Sequence, residues 1–287
     1  MISPLLRVLA LPLLASAATV AAAQGSIDNQ ALSQPQFREH KATYGLVYRL
    51  PQDVNATLDA KVMPRVKAAL LKDGLNTEAA TPNIPHVTVV HIHSADPQTP
   101  ARMLKALPKP PAPIQAQLVK FYTTEAAKDA GHPWWLDLGV AKEGAGFEAM
   151  MAYNTQATAA LTPLRDGPLP RVTGPVYAKM GEAGRKLVAE QGVSGVNVVS
   201  GGKELRTHNP HTTLVYSMAP YAQHKASMDA LAAELNTVLP QGLPATFKDV
   251  SIVEIGFAGN VLREIYRISL ADGSVLDVAS GKPVARP

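Results

Sequence analysis

Two short segments of this 287-residue chain carry residue types that could do chemistry together, Pro85-His86-Val87-Thr88 and Pro210-His211-Thr212-Thr213. An imidazole titrates with an unperturbed pKa of about 6.5, so two histidines can hold one proton donor and one proton acceptor at neutral pH. Side chains alternate across a strand, so His86 and Thr88 share one face of an extended segment, and His211 and Thr213 share another. Two such strands brought together set two imidazoles and two hydroxyls around a common space. That set suits a phosphodiester. One histidine takes a proton from the attacking oxygen and the other gives one to the leaving oxygen. The threonine hydroxyls donate to the non-bridging oxygens, where negative charge builds. No cofactor and no metal is required.

The elements that must position these segments read as a mixture of strands and helices. Strands are expected at 43–50, 84–92, 115–123 and 134–141, with a helix over 54–73, where Leu58, Val62, Val66 and Leu70 recur every four positions and Pro64 interrupts the pattern. A short helix is expected at 98–107. The second half repeats the order, with a helix at 147–161, a strand at 211–217, a helix at 222–238, and strands at 245–257 and 262–270 around the Gly259-Asn260 turn. In both halves a Pro-His-x-Thr strand precedes a helix and then two strands, which reads as an internal duplication. The Gly- and Pro-rich block 165–205, with a helix expected at 177–191, reads as an insertion, and 272–287 as a loose tail.

Composition sets the compartment and excludes some chemistries. The chain has no cysteine, which removes disulfides, thiolate catalysis and cysteine-based metal sites. Arg7 is the only charged side chain in residues 1–23, and the apolar run after it ends in Ala21-Ala22-Ala23. This reads as a cleavable signal peptide, followed by a flexible lead-in over 24–42, so a periplasmic or secreted protein without a membrane span in its mature form is expected. Losing Arg7 takes the formal charge from +4 to +3, with the basic residues scattered rather than clustered. A mild positive balance favours small anionic ligands over a long nucleic-acid footprint.

The paired His-x-Thr strands resemble those of the two-histidine (2H) phosphoesterases, which include 2′-5′ RNA ligase-like proteins and cyclic nucleotide phosphodiesterases. The resemblance spans residues 43–271. It implies an α+β, bilobal, duplicated fold, with two antiparallel-rich sheets, helices outside and a central cleft, here divided into lobes at 43–145 and 146–271. It further implies that His86 and His211 are the acid/base pair and that Thr88 and Thr213 bind phosphate. The substrate class implied is a 2′,3′-cyclic phosphate or a similar small phosphodiester or nucleotide, RNA ends included, with no protein partner predicted. Nothing resembles a nucleotidyl-transfer lysine motif.

Several neighbours of the motifs are candidates for substrate contact. Tyr48, Tyr122 and Tyr216 could stack on a base, although each also reads as a half-buried strand residue. His208 lies close to the second motif. Lys120 and Arg49 could bring positive charge to a cleft. His91 and His93 form a His-x-His pair that could ligate zinc, but by strand parity they face away from His86. Two rival functions follow: a periplasmic binding protein that holds a phosphorylated or nucleotide ligand without turning it over, and a metal-dependent enzyme built on His91 and His93.

Overall fold

The computed structural model describes residues 26–27, 43–75, 83–92, 94, 96–125, 134–165, 196–217, 219–256 and 259–285. In chain order the first elements are β1 (Ser26–Ile27), β2 (Thr43–Arg49), helices α1 (Gln52–Lys61) and α2 (Met63–Lys72), β3 (His86–Ile92), α3 (Thr99–Ala106), β4 (Ile114–Glu125), β5 (Trp134–Val140) and α4 (Gly144–Leu161). They continue with β6 (Asn197–Ser200), β7 (Lys203–Arg206), β8 (His211–Ser217), α5 (Tyr221–Val238), β9 (Leu243–Phe247), β10 (Asp249–Ile255), β11 (Val261–Ser269), β12 (Val275–Asp277) and β13 (Lys282–Val284). The architecture is α+β. A six-stranded sheet has the order β13-β12-β11-β10-β2-β3, a five-stranded sheet has the order β1-β8-β5-β4-β9, and β6-β7 is a separate hairpin. All pairings are antiparallel except β1 beside β8.

The helix expected over 54–73 is two helices. Proline lacks an N–H and its ring crowds the turn before it, so the first helix closes at Val62 and Pro64 sits in the opening turn of the second. The four-residue repeat survives the break, and Leu58, Val62, Val66 and Leu70 are all buried.

The sheets do not follow the contiguous halves 43–145 and 146–271. β4 and β5 pair with β8 and β9 from the second half, whereas β10 and β11 join β2 and β3 from the first. Sequence pattern specifies a strand and its faces but not its partner, and two strands alone are marginal in water. Each motif strand therefore gains a full sheet only through strands from elsewhere in the chain. The repeat is still visible in space, since β3-β2-β10-β11 and β8-β5-β4-β9 present the motif strand in the same place.

The expected loose tail is also part of a sheet. β12 pairs onto β11 and β13 onto β12, turning at Gly273 and Gly281, both with positive φ (74° and 67°), and Val275 is buried. Pro283 is tolerated because β13 is an edge strand. Within the expected lead-in, Ser26 and Ile27 pair with Val215 and Tyr216. The end of the 165–205 block forms the β6-β7 hairpin. The expected signal peptide, the rest of the expected lead-in and the helix expected at 177–191 lie outside the described residues. Among the described residues, no helix is long and apolar enough to cross a membrane.

One continuous apolar core joins both sheets to α1, α2, α4 and α5. Tyr48 lies inside it rather than at a cleft. Its ring packs against Tyr153 and Phe247, with centroids 6.3 and 5.7 Å away, and it is 0% exposed. The reason is alternation: Tyr48 falls on the Leu46 face of β2, opposite to Val47 and Arg49.

Two buried asparagines tie the core to both motif strands. Asn154 on α4 donates to the Val89 carbonyl on β3 and accepts from the Asn197 N–H at 2.6 Å. Asn197 in turn accepts from the N–H groups of Thr207 and His208, at 3.1 and 3.0 Å, just ahead of the second motif. A buried polar group that loses its partner costs about 1–3 kcal/mol. Asn154→Ala is therefore expected to lower unfolding free energy in urea by about 2 kcal/mol or more. Asn154→Ala combined with Asn197→Ala should cost less than the sum of the two. A change within about 0.5 kcal/mol, the usual range for a surface substitution, would show that the relay is not structural.

Candidate active site

The two motifs are built alike at atomic level. Proline pushes the residue before it into extended backbone, which fixes where that residue's carbonyl points. The carbonyl of Ile84 accepts from Nδ1 of His86 at 2.8 Å, and the carbonyl of Asn209 accepts from Nδ1 of His211 at 2.7 Å. The proline carbonyls are also matched, with Pro85 accepting from the N–H of Leu50 at 3.2 Å and Pro210 from that of Val140 at 3.0 Å. A carbonyl only accepts, so Nδ1 carries the hydrogen in both rings and Nε2 is the nitrogen left for chemistry.

A bulge follows the threonine in both motifs. On β3 the register passes from Val47↔Thr88 to Leu46↔Val90 and leaves Val89 as the extra residue. On β8 it passes from Asp137↔Thr213 to Leu136↔Val215 and leaves Leu214. An extra residue reverses the alternation beyond it. His91 therefore pairs with Gly45 on the same face as Thr88 and Val47, not on the opposite one as simple parity requires. It stands three residues past Thr88, roughly 10 Å along the strand. His93 lies outside the described residues. Tyr216 is turned by the second bulge to the face of Thr213, where it is 2% exposed and its hydroxyl lies 3.5 Å from Asn83 Oδ1. It fills the structure there and presents no open stacking surface.

β3 and β8 lie against each other where the sheets meet, and His86 and His211 are close enough for the charge of one to act on the other. Their surroundings differ sharply. His86 is 4% exposed, and burial lowers its pKa from 6.5 to about 4; the Ile84 carbonyl opposes that shift and His211 adds to it. His211 has a side chain 36% exposed, with Nε2 3.8 Å from the carboxylate of Asp137, which is itself buried.

The residues across from each motif are also different. Arg49 lies opposite His86 and donates to Glu264 at 2.8 Å. Burial alone would raise the Glu264 carboxyl, but hydrogen bonds from Arg267 and Ser251 and the charges of both arginines outweigh it and hold it below its usual range. Gly139 lies opposite His211, and a Cβ there would come within 3.2 Å of the Tyr122 ring. Tyr122 reaches this place because the extra residue Lys120, at φ 60°, shifts the register of β4 and pairs Tyr122 with Asp137. Lys120 itself is exposed. Burial and the charge of Asp137 push the Tyr122 phenol up to about 12, and its oxygen accepts from Asn209 at 3.1 Å.

The hydroxyls are not equivalent either. Thr88 is half-buried, and no side chain among the described residues engages its hydroxyl. Thr213 donates its only hydroxyl proton to Asp137 at 2.7 Å, so that proton is committed and not offered to a phosphate. His208 is half-buried and held through its backbone by Asn197. Of the residues singled out in the sequence, the structure gathers His86, Thr88, His211, Thr213 and Tyr122, with His208 on the adjoining loop; Tyr48 and Tyr216 are buried. Sequence reasoning missed Asp137 and Asn209. A lone aspartate inside the apolar run Trp134-Trp135-Leu136-Asp137-Leu138 was the available signal, because a carboxylate is rarely buried without a partner.

No family model and no curated protein matches the chain. Among solved structures it is similar to TT0787 of Thermus thermophilus, at 16% identity over 80% of this chain and 98% of that one, with a TM-score of 0.41. It is also similar to Usb1 of Kluyveromyces marxianus, solved with uridine monophosphate, at 12% identity over 77% and 97% of the two chains, with a TM-score of 0.41. A second structure of that Usb1 gives 12% identity, 78% and 96% coverage, and a TM-score of 0.35.

The buried His86 makes stability depend on pH. Between pH 6.5 and about 4 the unfolded chain binds a proton that the native fold refuses, so stability falls as pH falls through that window. At about 1.4 kcal/mol per pKa unit the loss is about 3 kcal/mol. Urea denaturation at pH 7.5 and pH 4 is expected to show that much less loss in His86→Gln than in wild type. Equal losses would mean that His86 is not held neutral by burial.

Proposed function

We propose that the chain is a phosphodiesterase of the two-histidine kind, exported to the periplasm or beyond, that opens a 2′,3′-cyclic phosphate or a similar small phosphodiester without a metal. The observation that carries this reading is the duplicated anchoring of His86 and His211 through Nδ1, at 2.8 and 2.7 Å, which leaves two Nε2 atoms for one site.

The differing surroundings give the two rings different tasks. His86, neutral at physiological pH, takes a proton from water at Nε2 as the water oxygen attacks phosphorus. His211, beside Asp137, delivers a proton from Nε2 to the leaving ribose oxygen as its bond to phosphorus breaks. After the reaction His86 carries a proton and His211 lacks one, and exchange with solvent restores both. Thr88 donates to a non-bridging oxygen. Tyr122 stays a neutral phenol at physiological pH and, while accepting from Asn209, keeps its own proton for a second oxygen, the part that the sequence assigns to Thr213. Nucleotides and RNA ends carry this chemistry, and the exposed side of the His211 ring is where such a ligand enters.

Hydrolysis of 2′,3′-cyclic nucleotides with EDTA present tests the reading. Wild type is expected to turn over, and His86→Ala and His211→Ala to lose about 10²–10⁴-fold in kcat, the usual worth of one general acid or base. Equal activity in all three proteins would remove the assignment. Intact ligand recovered from wild type, with binding lost in both variants, would instead make the protein a binder.

A further inference from the structure

Asp137 is a carboxylate at 1% exposure in the middle of a sheet, an expensive place for a negative charge. Among the described residues it receives one hydrogen bond, from Thr213 Oγ1 at 2.7 Å. Nε2 of His211 lies 3.8 Å from the same oxygen, and the Tyr122 phenol across the strand is close enough to feel its charge. The orientation of the His211 ring decides what the proximity means. Nδ1 of His211 already donates to the Asn209 carbonyl at 2.7 Å, so in a neutral ring Nε2, the nitrogen nearer the carboxylate, carries a lone pair and no hydrogen. A neutral ring so placed has no proton and no positive charge to offer the carboxylate. Only the doubly protonated ring turns this contact into an attraction. At 3.8 Å it is too long for a hydrogen bond, so the Nε2 proton is held electrostatically without being tied to Asp137.

The other groups facing His211 do not compete for this role. Tyr122, on β4, stays protonated, and His86, on the other sheet, is held neutral by burial. The corresponding place in the other half of the repeat, across from Thr88, is taken by Val47, which has no charge to offer.

We propose that Asp137, steadied by Thr213, is a positioning residue that holds His211 as the imidazolium and so makes it the proton donor of the pair. Thr213 thus serves the acid indirectly, and the apparent symmetry of the two motifs is broken by one side chain opposite the threonine. The assignment of His211 as acid rests on the phosphodiesterase reading, whereas the coupling between Asp137 and His211 does not.

Two measurements keep these apart. In the first, His211 ring resonances are titrated by NMR in the full chain without substrate, for wild type, Asp137→Asn and Thr213→Val. Asp137→Asn preserves shape and still accepts from Thr213, so it removes only the charge. Its His211 midpoint is expected to move to lower pH, while in Thr213→Val, which keeps the charge, it stays at or above the wild-type position. An unmoved midpoint in Asp137→Asn, or a lowered one in Thr213→Val, overturns the coupling whether or not the protein is an enzyme. The second measurement is kcat for a 2′,3′-cyclic nucleotide at pH 6 and pH 8. An adjacent opposite charge shifts a titration by a unit or more, so the ratio of kcat at pH 8 to kcat at pH 6 is expected to fall about tenfold in Asp137→Asn. An unchanged ratio together with a moved midpoint overturns the role of His211 as acid and leaves the coupling standing. An absence of turnover in every protein overturns the phosphodiesterase reading alone.

Discussion

The geometry of this site depends on a hydrogen bond made twice, from the Nδ1 of a strand histidine to the carbonyl two residues earlier. Proline between them is what makes the bond dependable. It restrains the preceding residue to extended backbone and so aims the carbonyls of Ile84 and Asn209 at their imidazoles. A free histidine side chain has two tautomers and several rotamers, whereas here each ring is fixed in both respects before any ligand arrives. Preorganisation of this kind is where positioned acids and bases gain their advantage over the same groups in water. The bulge after each threonine shifts the alternation beyond it by one residue, so that His91 and Tyr216 return to the face of their threonine.

Duplication provides two equivalent anchors, and the surroundings then make them unequal. The first ring is buried beside a satisfied Arg49–Glu264–Arg267 network. The second is partly exposed beside a buried aspartate that needs a cation. An acid and a base drawn from two histidines require such an inequality, because two histidines of equal proton affinity would hold the same form at most pH values. The two surroundings differ by few residues. Asp137 stands where the other half has Val47, and Gly139 stands where the other half has Arg49. Gly139 also makes room for Tyr122, which the Lys120 bulge brings into register.

The motif strands, the helices that fall within the described residues and the α+β class are legible in the sequence, because alternation and four-residue recurrence are local and survive even the break at Pro64. The pairing of strands is not. Order along the chain groups β10 and β11 with β8 and β9, yet they cross over to β2 and β3, which is decided only by tertiary contact. The bulges are invisible for a related reason. One extra residue at Val89 reverses every side-chain direction beyond it, so parity puts His91 on the wrong face. Tyr48 and Tyr216 fail as substrate contacts because an aromatic residue on a strand looks the same in sequence whether its face is core or cleft. Asp137 is readable in principle, as a single charge inside an apolar strand.

If His86 and His211 act on one phosphodiester from two protonation states, the pH dependence of kcat/KM in three proteins must carry the titration of both rings. Wild type should give a bell, with its acid limb well below 6.5 because burial holds the free base near 4. His86→Ala should lose the acid limb and keep the basic one, and His211→Ala should lose the basic limb and keep the acid one. Two variants that keep the full bell at reduced height would mean that neither histidine is a titrating partner in the reaction.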